Sequence, residues 1–245
     1  MSDTVPAVTQ TSFRQHRFRR PPGATEIILV RHGESEPAVP GHPFPLLDGH
    51  GDPGLAPEGL EQAEAVAERL VHEHLDDLYV TNLRRTQQTA APLARRLRRD
   101  PRVEADLREV NLGEWEGGML RQRVAAGDPL VARMYAEQSW DVIPGAEPGH
   151  AFAARVRAGI ERIAVAHRDQ RVAVFTHGGV IGQALGLAAG TGPLTFAAVD
   201  NGAVSHLVVV GDRWVIRRFN DTSHLPGGLD RPNGGEQPPG DGFSA

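Results

Sequence analysis

The sequence predicts a three-layer α/β/α sandwich around a mostly parallel central sheet. Three observations predict it. Ile27, Ile28, Leu29 and Val30 form a short apolar run, the mark of a strand covered on both faces. Val172, Ala173, Val174 and Phe175 form a second. Segments with helical spacing of apolar residues alternate with such runs, and that alternation builds parallel sheets flanked by helices. Both runs end alike, the first in Arg31, His32 and Gly33, the second in Thr176, His177, Gly178 and Gly179. Ligands of open α/β sheets bind outside the carboxyl ends of the strands. The two histidines are therefore expected at one crevice.

The bulk of the chain sets outer limits. Its 245 residues suffice for one domain with a substantial core. A hydrophobic content of 40% beside 23% charged residues is that of a globular chain. No apolar run is long enough to span a bilayer, and no apolar leader stands near the N-terminus. There is no cysteine, which excludes disulfides, thiol catalysis and thiolate metal sites. A cytoplasmic location is the expectation. A net charge of −5 argues against nucleic-acid binding. All 26 basic residues are arginine, which goes with the abundance of alanine, glycine and proline.

In chain order, residues 1–24 read as a disordered tail despite Arg14, Arg17, Arg19 and Arg20, because nothing there is periodic. The first strand covers about 26–30. A long Pro/Gly/Asp-rich loop, 35–57, follows His32 and is placed to wall the crevice. Its two histidines, His42 and His50, read as surface residues. Leu60, Ala63, Ala67, Leu70 and Val71 recur at helical spacing, with Pro57 suited to the first turn. Asp76 to Val80 reads as a strand. A helix from about Leu83 to Arg99 opens with Arg84 and Arg85, cations set against the helix dipole, and a bound anion would account for them. Val103 to Leu107 reads as a further strand edge. Arg108 to Gly117 reads as a turn rich in acids around Trp115. Residues 119–139 are helical only in part, and Ala151 to His167 is a clear helix. After the second buried strand a helix continues over Val180–Leu187. Asn201–Val210 and Trp214–Phe219 form a hairpin around Gly211 and Asp212. Residues 221–245 read as a second disordered tail, so the folded domain is expected to cover 25–220.

Two histidines and at least two arginines, Arg31 and Arg85, would thus share one sheet edge. Arginines repel a cation and grip a phosphate bidentately. A neutral imidazole is a competent nucleophile toward phosphorus. A carboxylic acid nearby could protonate a departing alkoxide.

The run Leu29–Ser35, LVRHGES, resembles the signature of the histidine phosphatase superfamily, the phosphoglycerate mutase-like family. Further stretches resemble its other motifs in the same order: Asp52–Ala63, Thr81–Ala90, Leu107–Gly117, Pro144–Glu147, Phe175–Val180 and Asn201–Leu207. Ala56 and Ala146 depart from the usual residues. The resemblance covers 26–219 and implies a phosphoglycerate mutase-like fold and a phosphomonoesterase. It implies His32 as the residue that becomes phosphorylated, and Arg31, Arg85 and His177 as a phosphate pocket with the backbone N–H of Gly178 as an added donor. Glu109 would be general acid and then base, with Glu114 and Glu116 as rivals. Arg84 would point away, and Gln62 and Glu147 would be structural. No metal or other cofactor is implied. The partner is a small-molecule phosphate monoester, and nothing speaks to oligomeric state.

Two other readings stand beside this one. Family mutases carry a longer, basic, proline-rich insertion between the acid and the second histidine, which this chain lacks, and Glu36, Pro37 and Ala38 replace the Trp-Asn that follows the mutase signature. A catalytically inert phosphate-binding protein of the same fold is at odds with the intact set His32, Arg31, Arg85, Glu109 and His177.

Overall fold

The computed structural model describes residues 15–227. Six strands form the main sheet: β1 (Thr25–Arg31), β4 (Asp77–Val80), β5 (Arg102–Val103), β6 (Arg171–Thr176), β7 (Val204–Val210) and β8 (Arg213–Asp221). Their order is β5-β4-β6-β1-β7-β8. The first four are parallel, and β7 and β8 close the far edge antiparallel. The six helices are α1 (Pro57–Leu70), α2 (Arg84–Leu97), α3 (Met119–Ala125), α4 (Pro129–Glu137), α5 (Gly149–Ala166) and α6 (Gly178–Ala189).

Alternate strand residues feed opposite layers, because side chains alternate across a pleated strand. Ile28, Val30, Ala173 and Phe175 pack with Val66, Leu70 and Leu93 under α1 and α2. Ile27, Leu29, Val172 and Val174 pack with Phe152, Ile160, Ile181 and Leu185 under α5 and α6. Both faces of β1 and β6 are dry, as their unbroken apolar runs require.

The helix after β1 lies on one face and the helix after β6 on the other, although β1 and β6 are neighbours. That adjacency is a topological switch point, where α/β sheets open a crevice. The strands pair with Arg31 opposite Thr176. The His32 N–H continues the ladder to the Thr176 carbonyl at 3.0 Å. Register alone therefore sets His32 beside His177.

Several local expectations need correction. The loop 35–57 contains a small hairpin, β2 (Leu46–Leu47) and β3 (His50–Gly51). Beyond Val103 the edge strand gives way to a 3-10 turn over Ala105–Leu107, whose N–H at Asp106 is capped by Glu104. Residues 221–227, read as tail, are not free of the domain: Leu225 is buried, and the His224 ring lies 3.0 Å from the Gly202 carbonyl. Arg17, Arg19 and Arg20 lie in chain without regular secondary structure ahead of β1. Arg14, the rest of the N-terminal tail up to residue 14, and residues 228–245 fall outside the described residues.

Candidate active site

The site stands on the loops leaving β1 and β6. His32 and His177 are buried, with ring centroids 5.2 Å apart in an edge-on arrangement. The Nδ1 of His32 lies 2.7 Å from the Gly33 carbonyl. A carbonyl only accepts, so Nδ1 carries the proton and Nε2 keeps its lone pair. Nε2 has no hydrogen-bond partner among the described residues. Burial, followed by Arg85 and Arg31, holds the His32 imidazole well below the usual histidine range. Burial, then Arg85, His32 and Arg31, does the same to His177. Both rings are neutral at neutral pH, and His32 has the tautomer of a nucleophile.

Arg31 and Arg85 line the same cavity as His32, while His177 and Gly178 lie behind its lining residues. Arg31 is anchored by its Nη1 to the Val199 carbonyl, and its buried Nε has no partner among the described residues. His177 Nε2 lies 3.1 Å from the Thr81 hydroxyl, which leaves its buried Nδ1 without a partner. Gly178 opens α6 with a first-turn N–H that the helix itself cannot satisfy. Arg85 donates from Nη1 to the Gly51 carbonyl at 2.8 Å. Burial pushes Arg85 down to about 10, which still leaves it a cation at neutral pH.

The arginine pair at the start of α2 divides its labour. Arg84 is exposed and turns to Asp52, whose carboxylate accepts from the Arg84 backbone N–H at 2.7 Å and pairs with its Nε at 3.2 Å. The anion expected at this helix end is thus partly the protein's own. Arg85, one position on, faces the crevice.

Of the three candidate acids, Glu114 is exposed. Glu116 spends its two oxygens on the N–H groups of Leu112 (2.8 Å) and Gly51 (2.7 Å). Glu109 sits at the start of α6, accepting from Gly179 N at 3.2 Å and from its neighbour Val110 N at 3.0 Å. Arg31, His32, Arg85 and Glu109 line one cavity of about 160 Å³. A larger groove of about 420 Å³ beside α2 and β5 lies away from both histidines and offers no nucleophile. Among the described residues no group of three or more histidine and carboxylate side chains could hold a metal ion.

Gln62 and Glu147 serve the frame. Gln62 accepts from Glu34 N at 2.8 Å, and Gly33 and Gly59 let α1 press against this loop, since a Cβ on either would overlap backbone of the other segment. Glu147 holds Arg155 at 2.7 Å, and Arg155 in turn donates to the carbonyls of Asp106, Arg108 and Glu109 at 2.7–2.8 Å.

Sequence reasoning missed four residues. Arg155 clamps the backbone that carries Glu109. Gly179 admits the Glu109 carboxylate, because a Cβ there would overlap Glu109 Oε1. Arg121 reaches from α3 to Ser35 Oγ (2.6 Å) and the Glu36 carbonyl (2.9 Å) at the cavity wall. His50, read as a surface residue, is buried and lines the cavity. Only the second glycine after His177 was visible as a signal.

Known proteins share the sequence pattern and the fold. The profile of the histidine phosphatase superfamily, branch 1, matches residues 27–222. A metal-independent phosphoserine phosphatase of Arabidopsis thaliana is 33% identical over 208 residues, 82% of this chain and 83% of the relative. Phosphoglycerate mutase-like protein 4 of the same plant is 30% identical over 204 residues, 82% of this chain and 86% of the relative. Among solved structures, a mycobacterial glucosyl-3-phosphoglycerate phosphatase superposes with a TM-score of 0.66 at 25% identity, covering 80% of this chain and 99% of that one. The phosphoglycerate mutase of Bacillus anthracis shares the fold, with a TM-score of 0.69 at 20% identity over 83% of this chain and 96% of that one.

Proposed function

Because the chain belongs to the histidine phosphatase superfamily and is a phosphomonoesterase of it, we propose that it works through a phosphohistidine on His32, with Glu109 as acid and base and with Arg31, Arg85, His177 and the Gly178 N–H as the phosphate pocket. The observation that carries the reading is the His32 tautomer: Nδ1–H donates to Gly33, so a buried, neutral ring offers Nε2 to the cavity.

Two displacements follow. In the first, Nε2 attacks phosphorus, the bond from phosphorus to the ester oxygen breaks, and Glu109 as a carboxylic acid protonates that oxygen so that a neutral alcohol departs. The imidazolium charge gained is shared through Nδ1–H with the Gly33 carbonyl. In the second, Glu109, now a carboxylate, takes a proton from water as the water oxygen attacks phosphorus. The N–P bond breaks, inorganic phosphate leaves and His32 is neutral again. The cationic and N–H donors match the charge spread over the transferring oxygens and are already in place. The substrate class is a small-molecule phosphate monoester. We place it in the cytoplasm, since a chain without cysteine forms no disulfide and draws no stability from an oxidising compartment.

Steady-state hydrolysis of p-nitrophenyl phosphate tests the reading. His32→Ala is expected to lower kcat at least about a thousandfold, and an unchanged rate would overturn the assignment. With phosphoglycerates as substrates, phosphate release is expected. Interconversion of the phosphoglycerate isomers without release would make the protein a mutase instead.

A further inference from the structure

The hairpin β2–β3 brings to the cavity a group that phosphoryl transfer does not use. His50 is only 5% exposed. Its Nδ1 lies 3.0 Å from the Asp48 carbonyl, so Nδ1 carries a proton, and the Nδ1–H tautomer of the imidazole has its lone pair on Nε2. That Nε2 is buried and has no hydrogen-bond partner among the described residues. Buried acceptors are nearly always paired, and an unpaired one in a cavity wall asks for a ligand donor. Two other buried side-chain atoms in the same state, Arg31 Nε and His177 Nδ1, also belong to the site. Arg31 Nε is a donor and suits an anion. His50 Nε2 is an acceptor and does not.

The hairpin holds this ring firmly. Arg85 Nη1 donates to the Gly51 carbonyl at 2.8 Å, and Gly51 N donates to Glu116 at 2.7 Å. Asn111 Nδ2 grips the Gly49 carbonyl at 2.8 Å, and Asn82 Nδ2 meets the Asp48 carboxylate at 3.2 Å. His50 is therefore one residue from a direct contact of a phosphate-pocket arginine. With the phosphoryl group against His32 and the ester oxygen toward Glu109, the group hanging from that oxygen must occupy what remains of a small cavity, and His50 walls it.

Resting on the phosphatase reading above, we infer that His50 Nε2 accepts a hydrogen bond from the leaving group, so that the enzyme selects small phosphate monoesters bearing a hydroxyl or ammonium donor close to the ester oxygen. His50 is then a specificity residue. Sites built to pair a substrate N–H or O–H reject the analogue that lacks it, because the protein group is left unpaired.

Matched esters test this. We would compare kcat/KM of the full chain for ethylene glycol monophosphate, ethanolamine phosphate and propyl phosphate, which differ at one terminal group. The wild type is expected to favour one or both donor-bearing esters over propyl phosphate by about tenfold or more. In His50→Phe that preference is expected to fall to about unity, and His50→Gln, which keeps an acceptor, retains part of it. A merely structural role would lower all three rates together and leave the ratios standing. Equal wild-type rates on all three esters, or an unchanged ratio in His50→Phe, overturns the inference; the wild-type comparison decides it even where a variant fails to fold. A wild type inert toward every monoester overturns the phosphatase reading and this inference with it.

Discussion

At the residue scale the chemistry depends on which nitrogen of which ring carries a proton. His32 and His177 stand side by side, their ring centroids 5.2 Å apart. Gly33 fixes His32 as an acceptor at Nε2, and the Thr81 hydroxyl beside His177 Nε2 leaves the buried Nδ1 without a partner among the described residues. Proton-detected titration of the wild type is expected to place the His32 midpoint well below 6.5, the ordinary histidine value, because burial and the two arginines oppose its charge. A midpoint at or above 6.5 would contradict the opposition of burial and the two arginines to its charge. Glu109 is tested through its leaving group. Glu109→Gln is expected to lower kcat/KM, which reports phosphorylation of His32, by about a hundredfold to ten-thousandfold on alkyl phosphates and much less on p-nitrophenyl phosphate, whose phenolate departs unaided, while kcat falls on both because hydrolysis of the phosphohistidine also uses Glu109. Gly179→Ala sets a Cβ against Glu109 Oε1, and a drop in kcat of about tenfold or more is expected with helical content unchanged. Wild-type kcat in that variant would show that the carboxylate has no fixed place.

At the scale of elements, the site is made by the neighbourhood of β1 and β6 and completed by what reaches in from elsewhere. The two strands and the helices α1, α2 and α5 were legible because burial on both faces, or on one stripe, leaves an apolar pattern that survives without the structure. His32 and His177 were legible for the same reason, standing where those patterns stop. His50 was not: the hairpin has two exposed leucines, Leu46 and Leu47, and no periodicity, and the glycines on either side of His50 are held by Arg85, Glu116 and Asn111, far away in sequence. Asp52, which answers the Arg84 N–H, and Arg155, which ties three carbonyls of the Glu109 segment, were hidden by the same long-range pairing. Arg155→Leu leaves those carbonyls and Glu147 without their partner. It is expected to cost about 3 kcal/mol in urea unfolding and to lower kcat through Glu109, whereas a stability within about 0.5 kcal/mol of wild type would show the clamp to be idle.

At the scale of the whole molecule, one sheet supplies both the core and the chemistry, so protonation of the site is also a matter of stability. His32, His177, His206 and His224 are all held below the usual histidine range, with burial the first cause in each. The unfolded chain therefore takes up protons on these rings more readily than the folded one. The stability they contribute is present above the unfolded value of about 6.5 and is lost as pH falls below it. The urea midpoint is expected to fall steadily from pH 7 to pH 5, and a midpoint that rose over that range would contradict the buried neutral rings. The domain boundary also belongs here. The buried Leu225 carries the folded unit past Asp221, and a chain pattern poor in apolar residues gave no sign of a single leucine that docks. The central claim, covalent catalysis by His32, is tested most directly by rapid acid-free quenching of the enzyme with phosphate-labelled substrate, followed by mapping of the label. An acid-labile, base-stable phosphoryl group on the peptide containing His32, absent from His32→Ala, is the predicted result. Continued hydrolysis with no label on that peptide, or label on another residue, would contradict it.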